Sequence, residues 1–243
     1  MRKKLRIIPL GNKNFKIEIV YEKEIKNLHL NKDNAIGIDI GINNLMAITS
    51  NNPGCFSWLV NGRPLKSMNQ YFNKQLSIQK SLLSIINNKY WSNALTNLSL
   101  KRNNKIDDYL HKASRKVINH CIENDIGTIV IGHNNGWKQE INLGRKTNQS
   151  FVSIPFNKLI QMIIYKTEEI GISVVLHEES YTSKCDHLAE EVMTHHDTYF
   201  GRRIKRGLYR SSTGKVLNAD INGSIGILRK ANVVQHLLTQ VRG

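Results

Sequence analysis

GIDIGINNLMAI, residues 37–48, is the stretch that decides the predicted fold. It begins inside a strand in which isoleucines at positions 36, 38 and 40 alternate with Gly37, Asp39 and Gly41. This period of two places Asp39 on the face opposite the isoleucines, in a strand whose composition favours burial. A carboxylate there is costly unless a cation meets it. The pattern therefore predicts that Asp39 binds a cation, and a divalent ion held between acids from distant segments would satisfy it.

Two further strings belong with the first: EESYTSK (178–184) and NADINGSIGIL (218–228). Each carries acids next to small and polar residues, and we predict that they complete one magnesium site with Asp39. Asn218-Ala219-Asp220 is also a favourable start for a helix, so a capping role for Asp220 stays open beside metal binding.

The charge of the chain favours a polyanionic partner. Its 243 residues contain 35 Lys and Arg against 19 Asp and Glu, a formal net charge of +16. Such an excess attracts nucleic acid or, less often, an anionic membrane. Nothing is apolar for long enough to span a bilayer, and the basic N-terminus lacks the apolar core of a signal peptide. Three scattered cysteines give no disulfide framework, so we expect a cytoplasmic protein without a membrane partner.

The apolar pattern predicts an α/β protein with a mixed sheet flanked by helices. We expect a β-hairpin over residues 4–22 and an antiparallel strand pair over 35–60. The other predicted elements are helices at 66–90, 105–123, 155–170 and 219–232, and strands at 128–132 and 172–179.

Residues 181–217 have a different composition and are predicted to be a basic insertion that contacts nucleic acid. No acid occurs between positions 198 and 217, so the cations there have no local counter-charge. We expect phosphate contacts from its Lys and Arg, with Tyr209 open to base stacking. The predicted nucleic-acid-binding residues are Lys184, Arg202, Arg203, Lys205, Arg206, Tyr209 and Arg210.

Four motifs in this order, GIDIGINNL, YTSK, KRGLYR and NADINGSIGIL, resemble the RuvC-type nuclease domain of the transposon-encoded TnpB (OrfB) family. These proteins are relatives of the type V CRISPR effectors. The resemblance covers residues 1–232 and implies a ribonuclease-H-like fold with a three-acid Mg²⁺ (or Mn²⁺) site. It also implies cleavage of DNA at sites chosen by a guide RNA, so DNA and guide RNA are the expected partners. Asp39 matches the first acid of the family and Asp220 the third.

The second acid is where the chain departs from the family pattern. A Glu commonly ends the strand that is Ile129-Val130-Ile131-Gly132 here, and Gly132 cannot bind metal. In one interpretation a neighbouring strand end supplies the carboxylate, from Glu179 or Glu178; alternation places only one of them on the Asp39 side, and we favour Glu179. In the other, the site lacks a ligand and the protein does not cut.

Two more departures concern zinc and length. The family often carries paired Cys-x-x-Cys motifs, whereas here only Cys185 remains, near His187, and Ser211 and Ser212 occupy the second pair's position. We expect no bound zinc, because this spacing is not that of a zinc ribbon. The 34 residues before Ala35 are fewer than the family's N-terminal part, so we expect a shortened copy with a residual β-rich module.

The expected organisation has four parts: the residual module (1–34), the nuclease core (35–180), the insertion (181–217) and a final helix with its tail (218–243). The leading hypothesis is a magnesium-dependent, RNA-guided DNA endonuclease, and the alternative is a nuclease-deficient nucleic-acid-binding protein of the same family. A sugar-kinase or actin-like ATPase is disfavoured, because the second Asp-Ile-Gly (125–127) precedes a strand instead of following one. The sequence leaves the oligomeric state open.

Overall fold

The computed structural model describes residues 4–87, 89–133, 153–178 and 180–231. Its centre is a five-stranded mixed sheet with the strand order β5-β4-β3-β6-β7. The strands are β3 (Ala35–Ile40), β4 (Asn44–Ser50), β5 (Trp58–Asn61), β6 (Thr128–Gly132) and β7 (Ser173–His177). β3, β4 and β5 pair antiparallel, and β6 and β7 extend the sheet in parallel. The predicted antiparallel pair within 35–60 and the strand at 128–132 are therefore confirmed.

The described residues form four α-helices: α1 (Arg63–Asn87), α2 (Asn93–Glu123), α3 (Phe156–Glu168) and α4 (Ala219–Lys230). α1 packs on α2, and the other helices flank the sheet. α2 begins twelve residues earlier than its apolar period predicted. Its start is fixed by Ser92, whose side chain accepts a hydrogen bond from the backbone N–H of Leu95 at 3.3 Å. The first turns of α2 are rich in Asn, which is a weak helix former, and this composition obscured the start of the helix in the sequence.

The main core lies on the isoleucine face of the sheet. Ile36, Ile38 and Ile40 are at most 3% exposed and pack in one cluster with the apolar faces of α2 and α3. Burial of a side chain of this size contributes about 1.5–3 kcal/mol. The predicted alternation in β3 is confirmed, because these isoleucines face the helices while Gly37 and Asp39 face the other way.

α4 covers the opposite face at short range. A Cβ atom added to Gly37 would lie 2.5 Å from the backbone oxygen of Ser224 and 2.7 Å from Cγ of Leu228. The hydroxyls of Thr49 and Ser224 are 2.6 Å apart and join β4 to α4. Small residues on both elements therefore allow the last helix to lie directly against β3.

Two smaller antiparallel sheets stand beside the central one. β1 (Lys4–Gly11) and β2 (Asn14–Val20) form the predicted N-terminal hairpin, with Asn12 and Lys13 at positive φ in its turn. β8 (Arg202–Lys205), β9 (Leu208–Arg210) and β10 (Val216–Asn218) form a three-stranded sheet inside the predicted insertion. The domain boundaries stay predictions. Within the described ranges, every helix is too short or too polar to cross a membrane.

Candidate active site and nucleic-acid interface

The two predicted acids Asp39 and Asp220 both lie near the start of α4. Asp39 is half-buried on the α4 face of β3, and a Cβ added to Gly223 would lie 2.5 Å from its Oδ2 atom. Asp220 is three residues before Gly223, which is one helical turn on the same face. The close packing of β3 against α4 therefore places Asp39 one helical turn from Asp220, which is 181 positions away in sequence.

Asp220 does not cap the helix. The cap is Asn218, whose side-chain oxygen accepts hydrogen bonds from the backbone N–H groups of Asp220 at 2.9 Å and Ile221 at 3.4 Å. The Asp220 carboxylate instead accepts a hydrogen bond from Asn44 Nδ2 at 2.8 Å. The capping alternative for Asp220 is therefore wrong, and Asn44 is a candidate site residue that the sequence reasoning missed. Its only signal was a polar amide at the start of the strand that follows the Asp39 motif.

β6 provides no carboxylate at the position expected for the second acid, because that residue is Gly132. Ile131 pairs with Ile38, so Gly132 follows beside Asp39, and Gly132 in turn pairs with His177 of β7. The predicted strand 172–179 ends at His177, because His177 is the last residue with a ladder partner. Glu178 is exposed just beyond this end, and its Oε1 atom accepts a hydrogen bond from Ser180 Oγ at 2.8 Å. Glu179 lies outside the described residues.

The carboxylates at this site are suitable magnesium ligands, but the described residues supply only two of them. Carboxylate oxygens are its usual protein ligands, and it normally keeps water or substrate phosphate oxygens in its other positions. Asp39 and Asp220 can supply two such ligands. Among the described residues no group of three His, Cys, Asp or Glu side chains is positioned to hold a metal ion.

A basic hairpin, defined as β8, β9 and their turn (202–210), lies next to this site. Its turn contacts the start of α4, because the backbone N–H of Ala219 donates to the carbonyl of Gly207 at 3.1 Å. Arg202 is directly opposite Arg210 across the strand pair, an arrangement that destabilises a hairpin unless an anion intervenes. In the part of the chain that the structure describes, none of its cations forms an ion pair, and all are exposed: Arg202, Arg203, Lys205, Arg206 and Arg210.

The prediction that Tyr209 contacts nucleic acid is wrong, because the residue is buried. Its side chain is 1% exposed, and its hydroxyl donates to the backbone oxygen of Lys184 at 3.1 Å. Burial also raises the pKa of this phenol. Tyr209 therefore fills the core of the insertion, where Gly201 packs against its ring. A buried ring is not available for base stacking. The Lys184 side chain is exposed, and its role as a nucleic-acid contact stays a prediction.

His187 joins the insertion to α4 and is fully buried. Its Nε2 donates to the backbone oxygen of Thr182 at 2.7 Å, so Nδ1 accepts from the Arg229 guanidinium at 3.0 Å. Burial and, to a smaller extent, the nearby Arg229 lower the pKa of His187 to about 4. Both ring nitrogens are used, and the ring packs against Gly226 of α4.

A buried carboxylate occupies the middle of the insertion. Oδ2 of Asp186 accepts hydrogen bonds from Ser211 Oγ at 2.9 Å, Ser212 N at 2.7 Å and Ser212 Oγ at 3.0 Å. The two serines at the position of the family's second cysteine pair therefore hold an internal acid. Asn222 of α4 donates to the backbone oxygen of neighbouring Cys185 at 2.8 Å. The expectation that no zinc is bound stays a prediction.

Comparison with known proteins adds two family matches. Residues 18–138 match the probable transposase family OrfB_IS605, and residues 156–227 match the Cas12f1-like TNB domain. No curated protein sequence matches the chain.

Solved structures give the fold. A Cas12f1 protein, determined by cryo-EM with sgRNA and target DNA, aligns with a TM-score of 0.58 and 16% identity over 88% of this chain and 52% of that chain. A CRISPR-Cas12f ternary complex aligns with a TM-score of 0.53 and 15% identity over 88% of this chain and 41% of that chain. The chain thus spans about half the length of the first of these relatives.

These alignments and the strand order confirm the predicted ribonuclease-H-like fold, with its mixed sheet, flanking helices and N-terminal hairpin. The two family matches follow one another along the chain and together cover both the Asp39 and the Asp220 motifs. The chain therefore belongs to the TnpB-like (OrfB) family.

Proposed function

We propose that this chain is a metal-dependent DNA endonuclease guided by RNA. One observation carries the proposal: Asp39 lies against Gly223, one helical turn from Asp220, and the basic hairpin, whose cations form no ion pair among the described residues, touches the same helix end. Acids alone would repel a nucleic-acid backbone, and cations alone would only bind it. Their adjacency supports cleavage of a held phosphodiester. The proposed location is the cytoplasm, in association with the nucleoid.

Each group has a proposed role. Asp39 and Asp220 hold Mg²⁺ or Mn²⁺, which when bound supplies activation of a water molecule and stabilisation of charge on the phosphate. Asn44 orients the Asp220 carboxylate through its hydrogen bond. The basic hairpin grips the strand through its phosphates, while pairing with a guide RNA selects the sequence, as in the guided effectors named above.

The third carboxylate is proposed to come from the chain beyond β7. Because His177 pairs with Gly132, the side chains of β7 at 175 and 177 point to the face that carries Asp39. Continued alternation favours Glu179 over Glu178, and the exposed Glu178 is already engaged by Ser180. We therefore keep Glu179 as the first candidate and Glu178 as the second.

The test is cleavage of labelled single-stranded and double-stranded DNA with Mg²⁺ or Mn²⁺. The protein is co-expressed with its native downstream DNA as a source of guide and compared with Asp39→Asn, Glu179→Gln and Glu178→Gln. An exposed acid elsewhere, changed in Asp33→Asn, is the matched control. Cutting that is lost in Asp39→Asn and in one Glu variant, and kept in the control, supports the proposal and locates the third acid. Cutting that survives Asp39→Asn contradicts it.

The second candidate function is a nuclease-deficient protein that binds nucleic acid. The glycine at position 132, beside Asp39, favours it, because no carboxylate stands where the family's second acid is expected. In that case the protein binds DNA or RNA tightly and releases it at higher salt, without metal-dependent cutting. The same assay separates the two functions.

A further inference from the structure

A second basic site lies on the face of the central sheet opposite Asp39 and Asp220. It is a groove of about 860 Å³ between α2, α3 and β5, which we call the back groove. Four cations line it: Lys112, Arg115, Lys116 and Lys166. Because α2 and α3 pack on the isoleucine face, this groove is separated from the acid pair by the sheet itself.

The cations of α2 form a ladder along one side of the groove. Residues spaced three and four apart lie on one helix face, as Lys112, Arg115 and Lys116 do. From Lys112 to His120 the helix rises by about 12 Å, which spans several phosphates of one strand at about 3.4 Å per phosphate. The ladder therefore matches an extended anion better than a single small one.

Lys166 of α3 faces this ladder from a buried position. Its side chain is part of a residue that is 4% exposed, and its Nζ donates to the backbone oxygen of His111 at 3.0 Å and to Ser114 Oγ at 2.6 Å. Two of the three N–H donors of the ammonium group are thus used. Burial, together with Arg115, lowers the pKa of Lys166. An anion in the groove would offset this cost.

Two ring N–H groups in the groove also lack partners. Asn124 Nδ2 donates to Nδ1 of His120, so Nε2 of His120 carries the hydrogen. That Nε2 atom and Trp58 Nε1 are both buried and have no hydrogen-bond partner among the described residues. The two rings meet edge to face at 5.3 Å, and Lys116 lies 5.1 Å above the Trp58 ring. Cations and unused donors thus converge on one place.

The acids nearby do not neutralise the groove. Glu123 lines its far end, and Lys112 pairs with Asp108 at 2.7 Å in an exposed bridge. Across the described ranges, Arg115, Lys116 and Lys166 form no ion pair with any carboxylate. Arg115 and Lys116 are exposed cations beside two unused ring N–H donors, and these are the groups that receive phosphate oxygens.

We propose that the back groove binds a stretch of phosphodiester backbone, of RNA or DNA, at a site separate from the acid pair. It would let the protein hold one strand on the back of the sheet while another lies at Asp39 and the basic hairpin. This inference goes beyond the proposed function, since backbone binding here requires neither a metal ion nor a third acid.

The test is binding of the full chain, without added divalent metal, to three labelled probes: a 20-nucleotide RNA, the DNA of the same sequence and its 20-base-pair duplex. The groove variant is Arg115→Gln with Lys116→Gln. The control is Lys101→Gln with Lys105→Gln, an equal charge change at exposed positions of the same helix. Affinity is measured by fluorescence anisotropy between 50 and 200 mM KCl, after thermal melts show that all variants fold.

We expect the groove variant to bind at least one probe roughly threefold to tenfold more weakly and to lower the salt slope for a single strand by about 1.4, since each contact contributes about 0.7. The control should keep the parental slope. Trp58→Phe, which keeps a ring and removes a donor, should weaken the same probe. A loss for RNA alone or for DNA alone identifies the source of the backbone. The proposal is overturned if both the groove variant and Trp58→Phe bind all three probes as the control does.

Because the assay contains no cleavage step, it separates the two proposals. Weakened binding by the groove variant supports the back groove whether or not the parent cuts DNA. Unchanged binding, combined with cutting that depends on Asp39, removes the back groove and leaves the nuclease in place.

Discussion

The two faces of the central sheet are covered in different ways. On one face, Ile36, Ile38 and Ile40 meet the apolar sides of α2 and α3 and make the main core. On the other face, Gly37 of β3 and Gly223 of α4 have no side chains, and this allows the helix backbone to lie directly against the strand. Large residues give the first face its stability, and small residues give the second face its geometry. Asp39 lies on the second face, where this close packing places Gly223 and the first turn of α4 against it.

Breaking the isoleucine face should have the largest effect on stability. Ile38 is fully buried, and Ile38→Ala should lower the free energy of unfolding by about 2–5 kcal/mol, through lost burial and the cavity left behind. Urea denaturation measures this change. Ile78→Ala, at an exposed position of α1, is the control, and its free energy of unfolding should stay within about 0.5 kcal/mol of the parent's. A small effect at Ile38 would mean that the core does not depend on this face.

Low pH should weaken the packing of the insertion on α4 through protonation of His187. A histidine whose pKa is lowered to about 4 in the folded state binds fewer protons there than when unfolded, where its pKa is about 6.5. The stability it contributes is therefore present above pH 6.5 and is lost as the pH falls through 4. We expect the free energy of unfolding of the parent to fall by roughly 3 kcal/mol more across this window than that of a His187→Asn variant. Unfolding curves from pH 7 to 4 measure it.

His29→Asn, at an exposed position, is the control and should keep the parental pH dependence. If His187→Asn keeps it as well, the histidine is not held neutral against Gly226, and its structural role in joining the insertion to α4 is wrong.

A single methyl group should disturb the glycine contact. In Gly37→Ala the new Cβ would lie 2.5 Å from the backbone oxygen of Ser224, so α4 must move. We expect a loss of about 1–3 kcal/mol in the free energy of unfolding. Mn²⁺ affinity should fall as well, because Asp220 moves with the helix. Calorimetric titration tests this second effect, and unchanged Mn²⁺ affinity would show that the acids do not depend on the close packing.

The smallest stability change is expected at Asn44. Asn44→Ala removes the N–H donor to Asp220 and should cost about 1 kcal/mol in the free energy of unfolding. Mn²⁺ affinity should fall about tenfold, since the carboxylate loses its orienting partner. The neighbour Asn43, changed in Asn43→Ala, is the control. Equal Mn²⁺ affinity in both variants would remove Asn44 from the site.

The sequence predicted the features that depend on local periodicity. Alternation in β3 identified the buried isoleucines and the opposite placement of Asp39, because strand geometry leaves side chains only two faces. The family motifs identified Asp220. The hydrogen bond between Asn44 and Asp220 joins residues 176 positions apart and has no local pattern. It follows from the way α4 packs on the sheet.

Tyr209 shows the opposite kind of error. Its basic neighbours suggested a surface residue, yet it is buried while Arg210 is exposed. Alternation along β9 was the available signal, because adjacent residues of a strand point to opposite faces. The sequence could not choose between Glu178 and Glu179 as the predicted third acid, because the face on which each lies depends on where β7 ends.

The most direct test of the account is whether Asp39 and Asp220 share one divalent ion on the α4 face. Calorimetric titration of Mn²⁺ should be made into the parent, Asp39→Asn, Asp220→Asn and the control Asp33→Asn. We predict that each site variant loses at least about tenfold in Mn²⁺ affinity, while Asp33→Asn binds as the parent does. Equal Mn²⁺ binding by the parent and Asp39→Asn would contradict the account, because the two acids would not then form a metal site.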